Sequence, residues 1–154
     1  MPSDIKPQII ISDTSCLIAL TNINLLDLLR HLYEKVFVTP EVASEYGESL
    51  PEWIVVKAAG DYGKIKAFNR FIDLGESSAI VLAMEISDSV LILDDKEARL
   101  FARNLGLNIT GTLGIIIRGY NKGFISDISY VISQLKEIGF YLPENINELL
   151  MTDN

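Results

Sequence analysis

Residues 8–29 read QIIISDTSCLIALTNINLLDLL, and one charge within them decides how the chain is read. Asp13 sits between the apolar runs 9–11 and 16–20. A carboxylate there risks desolvation, which is costly for an unpaired charge. Residues 8–12 are β-branched and continuous, as in a strand covered on both faces. Asp13, Thr14 and Ser15 are good capping residues for a helix beginning near Cys16. A strand passing at once into a helix is the unit that, repeated, builds an α/β chain.

The same alternation continues to the C-terminus. A helix is expected over 23–32, with Leu25, Leu28, Leu29 and Leu32 on one stripe. A short strand at 36–38 leads into Thr39-Pro40, a cap with proline at the first helical position, and a helix to about Glu48. Residues 50–58 suggest a proline-led turn and a strand. Residues 60–73, with Lys64, Lys66 and Arg70, suggest a helix or ordered loop. Residues 74–78 open an apolar helix over 79–86. SVLIL (89–93) is a strand ended by Asp94-Asp95. A helix over 96–105 closes at Gly106, and a last strand is expected at 107–109. Helices over 111–120, 125–138 and 144–151 complete the chain. The fold class is therefore α/β, with a mainly parallel central sheet, right-handed crossovers and flanking helices. In such sheets ligands gather at the carboxyl ends of the strands.

At 154 residues the chain is long enough for one domain with a real core. No apolar run approaches the ~18 residues of a membrane span, and MPSDIKPQ does not read as a secretion signal. A single cysteine, Cys16, forms no internal disulfide, which fits a reducing cytoplasm. With one cysteine and one histidine, zinc sites built from several His or Cys ligands fall outside the chain's means. His31 lies on the leucine-rich stretch LLDLLRHLY and reads as a helix-surface histidine. Carboxylates are plentiful: 21 Asp+Glu against 13 Lys+Arg, a formal charge of −8. That balance argues against a broad basic surface for nucleic acid while leaving room for a local basic groove.

The acids fall at telling places. Asp13 and the pair Asp94-Asp95 end strands, Glu76 lies in the first turn of a helix, and Glu45 lies in the helix opened by Pro40. Taken singly, each reads first as a cap or a dipole partner. In a parallel sheet, however, Asp13 and Asp94 emerge on one edge. Converging carboxylates repel unless a cation or protons neutralise them. Oxygen ligands without His or Cys suit Mg²⁺ or Mn²⁺.

Four segments together resemble the PIN domain family: IISDTSCLIAL around Asp13, VTPEVASEY around Glu45, LGESSAIVLA around Glu76, and LILDDKEARLFARNLGLNITGTLGII around Asp94. They are similar to a little-characterised bacterial and archaeal PIN-like group with D-T-S, G-E-x-x-A-I and G-T-x-G motifs. The resemblance covers about residues 9–142, leaving 143–154 as a helical tail of a single domain. It implies a three-layer fold and metal-dependent hydrolysis of RNA, as in VapC-like ribonucleases of toxin–antitoxin pairs. It makes Asp13, Glu45, Glu76 and Asp94 the catalytic acids. Asp13, Glu76, Asp94 and Asp95 become the metal ligands, and Thr14 and Thr112 hydrogen-bond the acids or the metal's water shell. In many active PIN nucleases the third acid is aspartate; the longer Glu76 is normal for this group.

Substrate phosphates need cations near the acids. Lys96, Arg99 and Arg103 fall on one helical stripe beside Asp94, and Lys64, Lys66 and Arg70 form a second basic group. Either set also reads as a solvated helix face. The expected partners are an RNA substrate, an antitoxin protein and a second copy of the chain, with the apolar stripes 23–32 and 112–120 as pairing surfaces or plain core. The rival of another class is a PIN fold that binds RNA or a partner protein without cutting. A phosphoacceptor receiver fits poorly, because receivers carry their acid pair after the first strand and here Asp13 stands alone.

Overall fold

A computed structural model describes residues 9–151; Gln8, expected in the first strand, and the N-terminal stretch MPSDIKPQ lie outside them. The sheet is built outward from β1 (Ile9–Ile11). On one side β1 pairs with β2 (Lys35–Val38), which pairs with β3 (Ile54–Val56). On the other it pairs with β4 (Ser89–Ile92), which pairs with β5 (Ile109–Thr110). The order is β3-β2-β1-β4-β5 and every pairing is parallel. Among the described residues nine helices flank it: α1 (Thr14–Asn22), α2 (Leu28–Leu32), α3 (Pro40–Tyr46), α4 (Tyr62–Phe68), α5 (Leu74–Glu85), α6 (Lys96–Asn104), α7 (Thr112–Asn121), α8 (Ile128–Glu137) and α9 (Ile146–Leu150). This is the α/β class with a parallel sheet expected from the alternation, in the three-layer form that the resemblance implied.

Strand periodicity explains the two cores. Successive side chains of a strand point to opposite faces. Ile10 and Ile92 enter one cluster with Leu17, Leu29 and Ile115, while Ile11 and Leu91 enter another with Ile80 and Ala98. Both faces of the central strands are covered, which is why their sequences run apolar without alternation. From β1 the chain steps outward through β2 and β3, then crosses to β4 and β5 on the other side. The crevice between the carboxyl ends of β1 and β4 is thus the topological switch point.

Local chemistry moves some boundaries from the expected ones. The helix expected over 23–32 begins only at Leu28. Asn24 adopts a left-handed φ of 59°, a conformation asparagine tolerates better than most, and Leu25 N–H returns to Leu20 O at 2.8 Å. The last strand starts at Ile109 rather than Leu107, because Leu107 N–H still bonds back to Ala102 O beyond the left-handed Gly106. The helix expected from 125 starts at Ile128, where Asp127 accepts from Tyr130 N–H at 3.0 Å. The stripes proposed as pairing surfaces pack on each other within one core: Leu28, Leu29 and Leu32 with Ile115 and Ile116. A Cβ on Gly119 would lie 2.6 Å from Leu28 Cδ1.

Candidate active site at the switch point

Asp13 follows β1 and is 3 % exposed. Its Oδ1 accepts from Cys16 N–H at 2.9 Å, capping α1, and its Oδ2 accepts from Asp94 N–H at 3.1 Å. The charge therefore joins two chain segments as well as starting a helix. Burial pushes the Asp13 carboxyl well above its ordinary pKa, and the nearby charges of Asp94 and Glu76 push the same way; the two backbone N–H groups oppose them.

Asp94 follows β4 and is held from the other side. Thr112 donates its backbone N–H to Oδ1 at 2.8 Å and its hydroxyl to Oδ2 at 2.5 Å. The neighbouring glycines make room for this. A Cβ on Gly111 would lie 2.9 Å from Arg99 Nη1 and 3.1 Å from Asp94 Oδ1, and one on Gly114 would collide with Thr110 Oγ1. The G-T-x-G segment is thus a close-packed cradle for one carboxylate.

Arg99 donates from Nη1 to Leu93 O at 2.8 Å. It is bound into the end of β4, unlike the exposed Lys96 and Arg103 on the same helix. Burial, then Arg103, lowers its pKa, while Asp94 and Asp13 raise it. In the second basic group, Lys64 lies 4.0 Å from Asp61 and Lys66 and Arg70 are exposed.

The remaining acids reach the site from α3 and the starts of α5 and α6. Thr14 donates its hydroxyl to Glu45 Oε1 at 2.6 Å, placing an exposed acid beside the turn that carries Asp13. A Cβ on Gly75 would collide with Glu45 Oε1, so the glutamate occupies the space that a side chain would fill. Thr39, the N-cap of α3, hydrogen-bonds Ser78 at 2.7 Å, which fixes α3 against α5. Glu76 N–H donates to Asp73 Oδ1 at 2.9 Å. Burial, then the charges of Asp73 and Asp95, raises the Glu76 pKa from 4.5 to about 7. Asp95 caps α6, accepting from Ala98 N–H at 3.0 Å. A small pocket of about 370 Å³ is lined in part by Arg70, Asp73, Glu76 and Asp95.

Asp13 and Asp94 are therefore in direct contact, and Glu76 is near enough to act on Asp13 electrostatically. Among the described residues, no three His, Cys, Asp or Glu side chains stand together as a ready metal-binding group. As a donor set the site nonetheless suits a hard cation. It offers carboxylate and hydroxyl oxygens only, and its crowded acids favour protonation in just the way a countercharge reverses. Cys16 is fully buried, and burial followed by Asp13 and Asp94 raises its pKa; such a thiol is inert. His31 is exposed and stacks on Phe124 at 5.1 Å.

Two neighbours of the site escaped the sequence reading. Asp73 stands three residues before Glu76, a D-x-x-E capping spacing that was there to be read. Arg118 had no such local signal. It lines a groove of about 1420 Å³ that also takes in Asp94, Arg99, Thr110 and Tyr141.

Residues 9–153 match a family model described as a PIN domain. No curated protein matches the chain.

Proposed function

This chain belongs to the PIN domain family, and from that premise we propose that it is a metal-dependent ribonuclease, hydrolysing RNA phosphodiester bonds where Asp13 and Asp94 meet. PIN domains are in general nucleases and generally use divalent metals. The observation that carries the reading is the Asp94 N–H bond to Asp13 Oδ2 at the switch point, with Thr112 gripping Asp94 from behind. Asp13, Glu76 and Asp94 would hold Mg²⁺ or Mn²⁺, with Glu45 and Asp95 adding charge at the rim. Such an ion supplies a water of lowered pKa and neutralises charge developing on the phosphoryl oxygens. Thr14 and Thr112 keep Glu45 and Asp94 in place. Lys96 and Arg103 are the exposed cations of α6 for substrate phosphates, while Arg99 braces the end of β4.

The test is cleavage of single-stranded RNA by the purified chain, with manganese and with chelator. Wild type is expected to cut only with the metal, and Asp13→Asn and Asp94→Asn to abolish cutting while the far-UV circular dichroism stays native. Cutting that survives either substitution would sink the proposal. The second reading, a PIN fold that binds without cutting, has one observation in its favour: the acids do not already form a three-ligand group. RNA binding without cleavage at any metal concentration would select it. We extend the ribonuclease reading to a toxin restrained by an antitoxin protein. Growth arrest on expression, relieved by Asp13→Asn, is the expected sign.

A further inference from the structure

The groove that begins at Asp94 runs along β5 and α7 between Leu113, Ile117 and Tyr141, and Arg118 lies in its wall. Arg118 Nε is buried with no hydrogen-bond partner among the described residues. The guanidinium stands 5.8 Å from the centroid of the Tyr33 ring. The ion pairs among the described residues, Arg30–Asp27 and Lys64–Asp61, do not include it. In a chain of formal charge −8 this is a cation outside those ion pairs, in the wall of a cavity that it shares with Arg99, Asp88 and Asp94. A guanidinium so placed suits an anion, phosphate above all, which it can bind through two parallel N–H bonds.

Position says which phosphate. Thr112, which holds Asp94, and Arg118 are carried by the same helix, six residues apart. At ~1.5 Å per residue they are about 9 Å apart along its axis. We propose that Arg118 is a phosphate clamp of this groove, holding a backbone phosphate of an RNA strand about 9 Å along α7 from the bond positioned at Asp94. The inference rests on the ribonuclease reading and adds where the strand runs. It favours RNA over a peptide because the groove takes in Asp94 and carries the guanidinium groups of Arg99 and Arg118 in its wall.

The experiment compares wild type, Arg118→Gln and, as a charge-matched control, Lys136→Gln, whose exposed side chain is on α8. A fluorescein-labelled 12-nucleotide single-stranded RNA is titrated by anisotropy in chelator over a range of salt, and kcat/KM is measured in manganese. Arg118→Gln should weaken binding and lower kcat/KM about tenfold. It should also reduce the slope of log K against log salt by about 0.7, the value of one phosphate contact on a single strand. Lys136→Gln should do neither. Equal slopes and affinities for all three proteins would overturn the clamp while leaving the nuclease intact. A wild type that neither binds nor cuts RNA would instead remove the reading beneath it. Should Arg118→Gln fail to fold, the Nε–Hε resonance of Arg118 in the wild type gives the answer. A shift that saturates with RNA supports the clamp, and one that RNA leaves unmoved overturns it. A resonance moved only by a co-purifying protein would assign the groove to that protein and overturn it too.

Discussion

At the scale of single residues, the site is a set of oxygens aimed by short side chains. Thr112 is the clearest case, since it is fully buried and gives Asp94 two hydrogen bonds. Thr112→Val keeps the shape and the backbone N–H and deletes only the hydroxyl. We expect metal affinity and kcat/KM to fall about 10–100-fold, the usual cost of losing a group that orients a ligand. A manganese titration together with RNA cleavage checks this; unchanged affinity would show that the backbone N–H alone suffices. Asp13, Glu45, Glu76 and Asp94 could be picked out because strand ends and helix starts are written in local sequence. Arg118 could not. Its significance lies in a buried Nε without a hydrogen-bond partner among the described residues and in a cavity formed by β5, α7 and the chain near Tyr141, neither of which a linear pattern records.

At the scale of elements, close approach of helices is what delivers Glu45. Helix α5 presents Gly75, Ser77, Ser78 and Ala79 as buried small residues, and α3 packs against it through the Thr39–Ser78 hydrogen bond. Gly75→Ala puts a methyl where the Glu45 carboxylate lies. The displaced group is the end of a flexible, exposed side chain, and alanine is a better helix former than glycine. The variant should therefore melt no lower than wild type while its RNA cleavage falls. Thermal unfolding and cleavage rates separate the two effects; a loss of both together would mean that Gly75 serves packing alone. The order of strands and helices was legible because apolar runs and caps punctuate the chain. Their edges were less so. The bend at Asn24 and the late start of β5 depend on backbone bonds to Leu20 and Ala102, which outweigh local preference.

At the scale of the whole molecule, crowded acids make stability depend on protons. The Glu76 pKa is about 7 in the fold against 4.5 for the free side chain. Between those values the native state holds more protons than the unfolded one, so stability falls as pH rises from about 4.5 to about 7. Asp13 acts in the same direction. In chelator, the Tm should drop across this window, more steeply for wild type than for Glu76→Gln. Manganese, by displacing those protons, should flatten the slope for wild type. Equal slopes for the two proteins in chelator would show that Glu76 does not titrate there. The sheet order itself followed from the βα alternation only as a class, since which strand neighbours β1 is settled by long-range pairing. That pairing carries a consequence for how the protein is born. Asp13 and Asp94 stand 81 positions apart, and Thr112 comes later still, so a ribosome must pass all three before the last part of the cradle exists. A fragment released early, or a nascent chain still threaded in the exit tunnel, has half of the carboxylate pair and nothing to brace it. Until the residues through Thr112 have emerged, the carboxylate pair that the proposed chemistry needs stays incomplete.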